Sequence, residues 1–331
     1  MRYFGSKKLL LDSIYSCVKD ISENGVFCDP FGGIGTVGGF MKEKGYSVIS
    51  GDILYFAHCF QAAKLEQRPK DVFKKLNIDN KGTKKEDIEY HLNNLKPEYG
   101  WIVEEYSEKR KFFTHENALK IQSNYNCIQS WKNEGCISEL EYKVLISSFI
   151  DSFDKVANTA GTYYAHLKHF YRKALKAYEF SLIEEVPGLR KCNAYLSEAQ
   201  DLISKHPCDI LYLDPPYNSR DYQRYYHLPE TVSYGVTPIP EGKSGVYVKN
   251  TIHSAYNSKS RATDAFKQII DVSDAKCIIF HYTDNGLISI NDAMNILCKR
   301  GAITEYFVNC KGYRTDSMSK EFSHHIIKVT S

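Results

Sequence analysis

Val26-Phe27-Cys28-Asp29-Pro30-Phe31-Gly32-Gly33-Ile34-Gly35-Thr36-Val37-Gly38 reads as a strand, a glycine-rich turn and the start of a helix. Its opening apolar run, closed by a carboxylate, is the pattern of a short strand buried on both faces. Glycines let a backbone pass close to a ligand and turn sharply into a helix. Gly33, Gly35 and Gly38 satisfy the GxGxxG spacing of dinucleotide-binding turns, although a bare strand–turn–helix can share it. Asp29 sits right at the turn, where a carboxylate repels a pyrophosphate but suits a cationic sulfonium–amino-acid ligand. Asp52 closes the next strand, placed to take both ribose hydroxyls of either kind of cofactor. The turn therefore favours S-adenosylmethionine over a nicotinamide dinucleotide.

Outward from this turn, short apolar runs recur at residues 46–50, 209–213, 276–281, 303–308 and 325–329. The last two are close enough in sequence to be antiparallel neighbours. Helical patterns at about 35–44, 54–66, 197–205, 262–271 and 290–299 separate them. Alternating strands and helices predict an α/β fold, a Rossmann-like open sheet with an antiparallel C-terminal strand. Residues 67–190 read differently, rich in Lys, Glu, Asn and Tyr, with helical patterns at 85–95, 115–124, 138–157 and 163–180. The simplest organisation is a sheet domain in two parts, 1–66 and 191–331, with a mostly helical domain, 67–190, inserted between them.

Composition adds limits. The 331 residues carry 43 basic and 40 acidic side chains, so a nucleic-acid footprint has to show as local clustering rather than net charge. The ten cysteines include no CxxC pair and no His partner at zinc-site spacing, so no metal is expected. Most lie in apolar runs, as free thiols of a reducing cytoplasm do. The start lacks the apolar core of a signal peptide, and no run of eighteen apolar residues is long enough to span a membrane.

The chemistry is concentrated in Ile210-Leu211-Tyr212-Leu213-Asp214-Pro215-Pro216-Tyr217. Ligands of open α/β sheets bind at the carboxyl ends of strands, so these groups should face the cofactor. The exocyclic amine of adenine is a poor nucleophile because its lone pair is delocalised into the ring. Acceptors for both of its N–H groups let the nitrogen pyramidalise toward a methyl donor. Asp214 can accept one, and the Pro215 carbonyl, locked by the Pro215-Pro216 pair, the other. Tyr217 offers a flat face on which a base can stack, worth about 1–3 kcal/mol.

These motifs resemble the α-group adenine DNA methyltransferases, and in particular those of type II and type IIS restriction systems. The resemblance covers nearly the whole chain in the family's order. Arg2-Tyr3-Phe4-Gly5-Ser6-Lys7 resembles the N-terminal motif that closes over the methionine end of the cofactor. Residues 29–35, with Asp29, Pro30, Phe31, Gly32, Gly33 and Gly35, resemble the cofactor loop, and Asp52 the ribose-binding acid. Asp214-Pro215-Pro216-Tyr217 is the catalytic tetrapeptide in its Asp form. Asn218-Ser219-Arg220-Asp221-Tyr222, Tyr225-Tyr226-His227-Leu228 and His281-Tyr282-Thr283-Asp284-Asn285-Gly286 are also similar. Where the family places an Asp on the cofactor adenine, this chain has Ser197-Glu198-Ala199; Glu198, Asn193 and Asp201 all stay open.

The resemblance implies target recognition between the cofactor loop and the tetrapeptide. There, residues 155–178 hold no acid but contain Lys155, Lys168, Arg172, Lys173 and Lys176, interleaved with Tyr163, Tyr164, His166, His169 and Tyr171. Residues 242–261 are likewise acid-free, with Lys243, Lys249, Lys259 and Arg261. Such patches suit DNA phosphates, whereas a solvated helix face is the plainer reading. Arg220, Tyr222 and Arg224 are placed to hold the displaced strand or the opened pocket. The expected substrate is double-stranded DNA with its target adenine flipped, in partnership with a cognate restriction endonuclease. The alternatives are an RNA adenine methyltransferase, transfer to cytosine or a protein glutamine, an NAD-linked oxidoreductase lacking any recognisable hydride partner, and a catalytically dead DNA-binding module.

Overall fold

The computed structural model describes residues 1, 3–22, 25–76, 78, 84–165, 167–249, 254–311 and 321–330, without the side chains of 309–311 and 321–323. Arg2 and His166 of the sequence reading lie outside it, as do residues 250–253 of the second acid-free stretch. Its elements in chain order are α1 (Leu11–Val18), β1 (Val26–Asp29), α2 (Thr36–Glu43), β2 (Ser47–Asp52), α3 (Tyr55–Leu65), α4 (Lys85–Asn93), α5 (Trp101–Val103), α6 (His115–Asn133), α7 (Glu139–Asp154), β3 (Asn193–Leu196), α8 (Ala199–Lys205), β4 (Ile210–Leu213), α9 (Tyr222–Tyr225), α10 (His227–Tyr234), α11 (Ala262–Val272), β5 (Cys277–Thr283), α12 (Ile290–Leu297), β6 (Ala302–Lys311) and β7 (Glu321–Thr330).

Two compact units share these elements. The sheet unit comprises residues 7–53, 186–221 and 252–331. Its seven strands run in the order β3-β2-β1-β4-β5-β7-β6. β3, β2, β1, β4 and β5 pair in parallel, and β7 joins β5 and β6 antiparallel. This is the Rossmann-like sheet with an antiparallel C-terminal part that the sequence predicts. Cys28, Leu211, Leu213, Ile278, Phe280 and Ile327 form its core with Leu202, Ile269 and Leu297 of the covering helices. Strand order reverses between β1 and β4, which opens a crevice at the carboxyl ends of those two strands.

The helical unit comprises residues 1–6, 54–185 and 222–251, so α3 and the α9–α10 stretch pack with the inserted helices. α7 starts on a capping box, in which the Ser138 hydroxyl accepts from Glu141 N–H while the Glu141 carboxylate accepts from Ser138 N–H. At the start of α3 the buried Glu230 carboxylate accepts from the N–H groups of Tyr55 (3.0 Å) and Phe56 (2.9 Å). An anion there complements the positive end of the helix dipole.

The helix expected over 163–180 does not form. Only the 3₁₀ turn Arg172–Leu175 is helical, and the chain beyond it is extended. Side chains replace the helix ladder. Asn117 donates to the Lys176 carbonyl (2.8 Å) and accepts from Tyr178 N–H (2.9 Å). Asn93 brackets Phe180 in the same way, at 3.0 and 2.7 Å. No helix of the described residues is long and apolar enough to cross a membrane.

Candidate active site

The glycine turn after β1 is built as its sequence requires. Gly33 (φ 51°) and Gly35 (φ 72°) occupy the left-handed region, where a side chain would be strained. Gly32 N–H donates to the Gly51 carbonyl (2.9 Å) at the end of β2. The Asp52 carboxylate accepts from Gly33 N–H at 3.0 Å. The turn is thus tied to Asp52 at the end of β2.

Alternation along the strands puts Phe27 and Asp29 of β1, Tyr212 of β4 with Asp214 just beyond its end, and His281 of β5 on one face of the sheet. Asp29 is 1% exposed and Asp214 15%. The Lys7 ammonium, itself buried, pairs with Asp214 at 2.5 Å and lies 5.6 Å from the centre of the Tyr217 ring. Burial, then the negative charge of Asp214, pushes the Asp29 carboxyl up to about 8. Burial pushes Asp214 up to about 6, and Lys7 restrains that rise. The Asp29 carboxyl therefore holds its proton at neutral pH, and a further positive charge beside it would favour its ionisation.

Tyr217 packs edge-on to Tyr282, ring centres 6.3 Å apart. The loop following the tetrapeptide is held by the Asn257 amide, which donates to the carbonyls of Asn218 (3.1 Å) and Arg220 (2.9 Å). Phe31 meets the buried Tyr256 ring edge-on at 4.9 Å. Among the described residues the Tyr256 hydroxyl has no hydrogen-bond partner, and the charge of Glu198 acts on it. Of the three acceptors left open for the cofactor adenine, Glu198 is near enough for its charge to act on Tyr256. Sequence reading missed Asn257 and Tyr256, which lie in a polar stretch with no periodicity to mark them.

The sheet unit thus brings together Lys7, Asp29, Phe31, Asp52, Asp214 and Tyr217. Tyr3 and Gly5 fall in the helical unit, where Tyr3 stacks on Tyr226 at 5.0 Å. Among the residues expected at DNA, Lys168, Arg172, Lys176, Arg220, Arg224, Lys243 and Lys249 are exposed and Tyr222 half-buried. Lys155 is engaged by Asp151 (3.2 Å) and Ser181 (3.0 Å), and Lys173 by the Asp154 carbonyl (3.3 Å). No group of three or more metal-ligating side chains occurs among the described residues.

An open sheet with a glycine turn and an Asp-Pro-Pro-Tyr segment at neighbouring strand ends defines a Rossmann-like methyltransferase class. More narrowly, the chain belongs to the D12 class N6 adenine-specific DNA methyltransferase family, whose sequence model matches residues 3–296. It is 34% identical to modification methylase StsI of Streptococcus sanguinis, over 90% of this chain and 46% of that protein. It is 33% identical to type II methyltransferase M.FokI of Planomicrobium okeanokoites, over 95% of this chain and 49% of that protein. The chain spans about half the length of these two relatives. With type II methyltransferase M.NlaIII of Neisseria lactamica it shares 31% identity, over 91% of this chain and 89% of that protein.

Proposed function

We propose that this protein transfers a methyl group from S-adenosylmethionine to the N6 amine of an adenine flipped out of duplex DNA. The observation that carries this reading is Asp214, held by Lys7 at the end of β4 beside the glycine turn of β1, with the Tyr217 ring next to it.

The residues present fit the cofactor. Asp29 accommodates a cation, Asp52 is placed for ribose hydroxyls, and Phe31 with the Tyr256 hydroxyl and Glu198 suits an adenine edge. When bound, the cofactor supplies an electrophilic methyl on a sulfonium. The chain's own residues orient the acceptor. Asp214 and the Pro215 carbonyl take the two amine hydrogens, and Tyr217 supports the base by stacking. Accepting the methyl group that the bound cofactor would supply leaves the nitrogen cationic. Its proton then passes to Asp214, whose raised affinity suits it to receive one.

Lys168, Arg172, Lys176, Lys243 and Lys249, together with Arg220, Tyr222 and Arg224, are proposed DNA contacts. Lys155 and Lys173, already engaged within the chain, carry less of that role. The names of the relatives favour a place in a restriction-modification system, with a cognate endonuclease and a cytoplasmic site of action.

The test is incubation with duplex DNA and methyl-labelled cofactor, followed by nucleoside analysis. N6-methyl-2′-deoxyadenosine should form in DNA, and Asp214→Ala should abolish transfer while cofactor binding persists. Label confined to RNA or protein would overturn the reading.

A further inference from the structure

An ion-paired histidine holds the turn that follows β5 in the sheet unit. His325 of β7 lies beside Tyr282 of β5 in the ladder and is 7% exposed. Its Nε2 meets the carboxylate of Asp284, just past the end of β5, and its Nδ1 meets the Glu305 carboxylate of β6 at 2.7 Å. The Phe307 ring packs edge-on against it, centres 5.1 Å apart. A neutral imidazole donates to only one acceptor, so a ring flanked by two carboxylates donates to both only as the imidazolium. Burial opposes that charge, but the bonds to Glu305 and Asp284 outweigh it and hold the ring above the usual histidine range. Asp284, the first residue of the turn, is thereby fixed. Within the turn Gly286 N–H donates to the Thr283 carbonyl (3.1 Å), and Gly286 lies so close to the Tyr282 ring that a Cβ there would come within 1.9 Å of it. The Tyr282 hydroxyl accepts from Ile288 N–H (3.2 Å), and its ring stacks on Phe280 at 5.0 Å. Tyr217 packs edge-on to this held ring.

We propose that His325 is a positioning residue for methyl transfer: by bridging Asp284 and Glu305 it sets the turn at 284–288 and, through Tyr282, the Tyr217 ring on which the target base stacks. The inference rests on the DNA-methylation reading and extends it to a residue that acts through two other side chains. A partly buried cluster of three charges is a poor source of stability, because apolar packing of similar volume does as well. What the cluster supplies is fixed geometry. Stacking in a reactive pose depends on it, since a ring held by supports that are themselves fixed keeps the base in register with the methyl donor.

The experiment measures kcat, KM for duplex DNA and cofactor affinity for Asp284→Ala and His325→Phe, each made in the wild-type chain and in Tyr217→Ala. The Asp284 side chain is 54% exposed, so its truncation leaves the core intact even where His325→Phe disturbs folding. In the wild-type chain each change should lower kcat roughly 3- to 10-fold, with cofactor affinity unchanged. In Tyr217→Ala the same changes should cost less than about twofold, because the ring they position is gone. Equal fold-losses in both backgrounds, or no loss in Asp284→Ala, would overturn the inference, as would a Tyr217→Ala chain with unchanged turnover. Wild-type reactions without methyladenine would instead defeat the underlying reading, and this inference with it.

Discussion

Replacing Lys7 by Met removes the cation that holds Asp214 ionised. Opposite charges 2.5 Å apart attract by several kcal/mol even at an effective dielectric of about 20, before solvent relaxation. A partner at this range typically moves a carboxyl by about 1–3 pKa units. Asp214 stands at about 6 with Lys7 in place, so a shift of about 2 units takes it to about 8 in the variant. Hydrogen-bond acceptance from the amine needs the ionised form, so activity rises with pH through this value. At pH 7 the ionised fraction falls from about nine-tenths to about one-tenth, a roughly tenfold loss. The kcat/KM profile for DNA reports the free enzyme's groups. Its acid limb should move up by about 2 units in Lys7→Met, with most activity regained near pH 9, and stay in place in Lys7→Arg. A limb that stays near its wild-type position while the rate drops equally at every pH would refute the electrostatic role.

Asp29→Asn removes a buried acid whose folded pKa, about 8, lies above its unfolded value. Such a group binds its proton more tightly in the folded state, so its contribution to stability declines as pH rises from about 4 to about 8. Thermal unfolding of the cofactor-free variant should show a Tm gain over wild type that grows from pH 5 to pH 8, while calorimetry shows weaker cofactor binding; a pH-independent difference would contradict this. Gly286→Ala would place a methyl 1.9 Å from the Tyr282 ring, displacing the side chain against which Tyr217 packs. kcat should fall more than cofactor affinity, with a stability loss of about 1–3 kcal/mol by denaturant titration; normal turnover would show that the ring pair is dispensable. Tyr217→Ala should lower kcat/KM for DNA on the order of 5- to 150-fold through lost stacking, and unchanged turnover would remove that role.

The sheet was legible because its strands are local. Apolar runs such as 210–213 and 277–281 are buried on both faces and need no distant partner to be recognised. β3 escaped because it is an edge strand starting at Asn193 and ending at the half-exposed Leu196, so no apolar run marks it. The stretch 163–180 failed for the opposite reason. Its buried residues Tyr163, Ala174, Tyr178 and Phe180 look amphipathic, but its backbone partners include Asn93 and Asn117, far away in sequence, besides Asn158 just before it. Local periodicity cannot report such long-range side-chain bonds. In the site, residue types pointed to Asp29, Asp52 and Asp214, but not to the group that balances Asp214. Lys7 stood in the sequence only as part of a motif for the methionine end of the cofactor, and its pairing with Asp214 required the fold.

That pairing also explains the polar chain next to it. On the sheet face that carries Asp214, the Tyr212 hydroxyl meets His281 Nδ1 at 2.9 Å, and His281 Nε2 meets His324 Nδ1 at 3.0 Å. Two imidazoles near a buried carboxylate would ordinarily compete to become its counter-ion. Here burial first, and the charge of Lys7 second, hold both below the usual histidine range. Each ring is neutral at physiological pH and is satisfied by its neighbours in the chain, so neither adds positive charge to the site. Asp214 is then matched by Lys7, and Asp29, whose carboxyl holds its proton up to about 8, keeps a demand for a cation that a sulfonium ligand would meet on ionising it. A chain of protonated histidines would satisfy that demand in advance and weaken cofactor binding. Neutral polar burial at this face therefore preserves the electrostatic selectivity that the acids create.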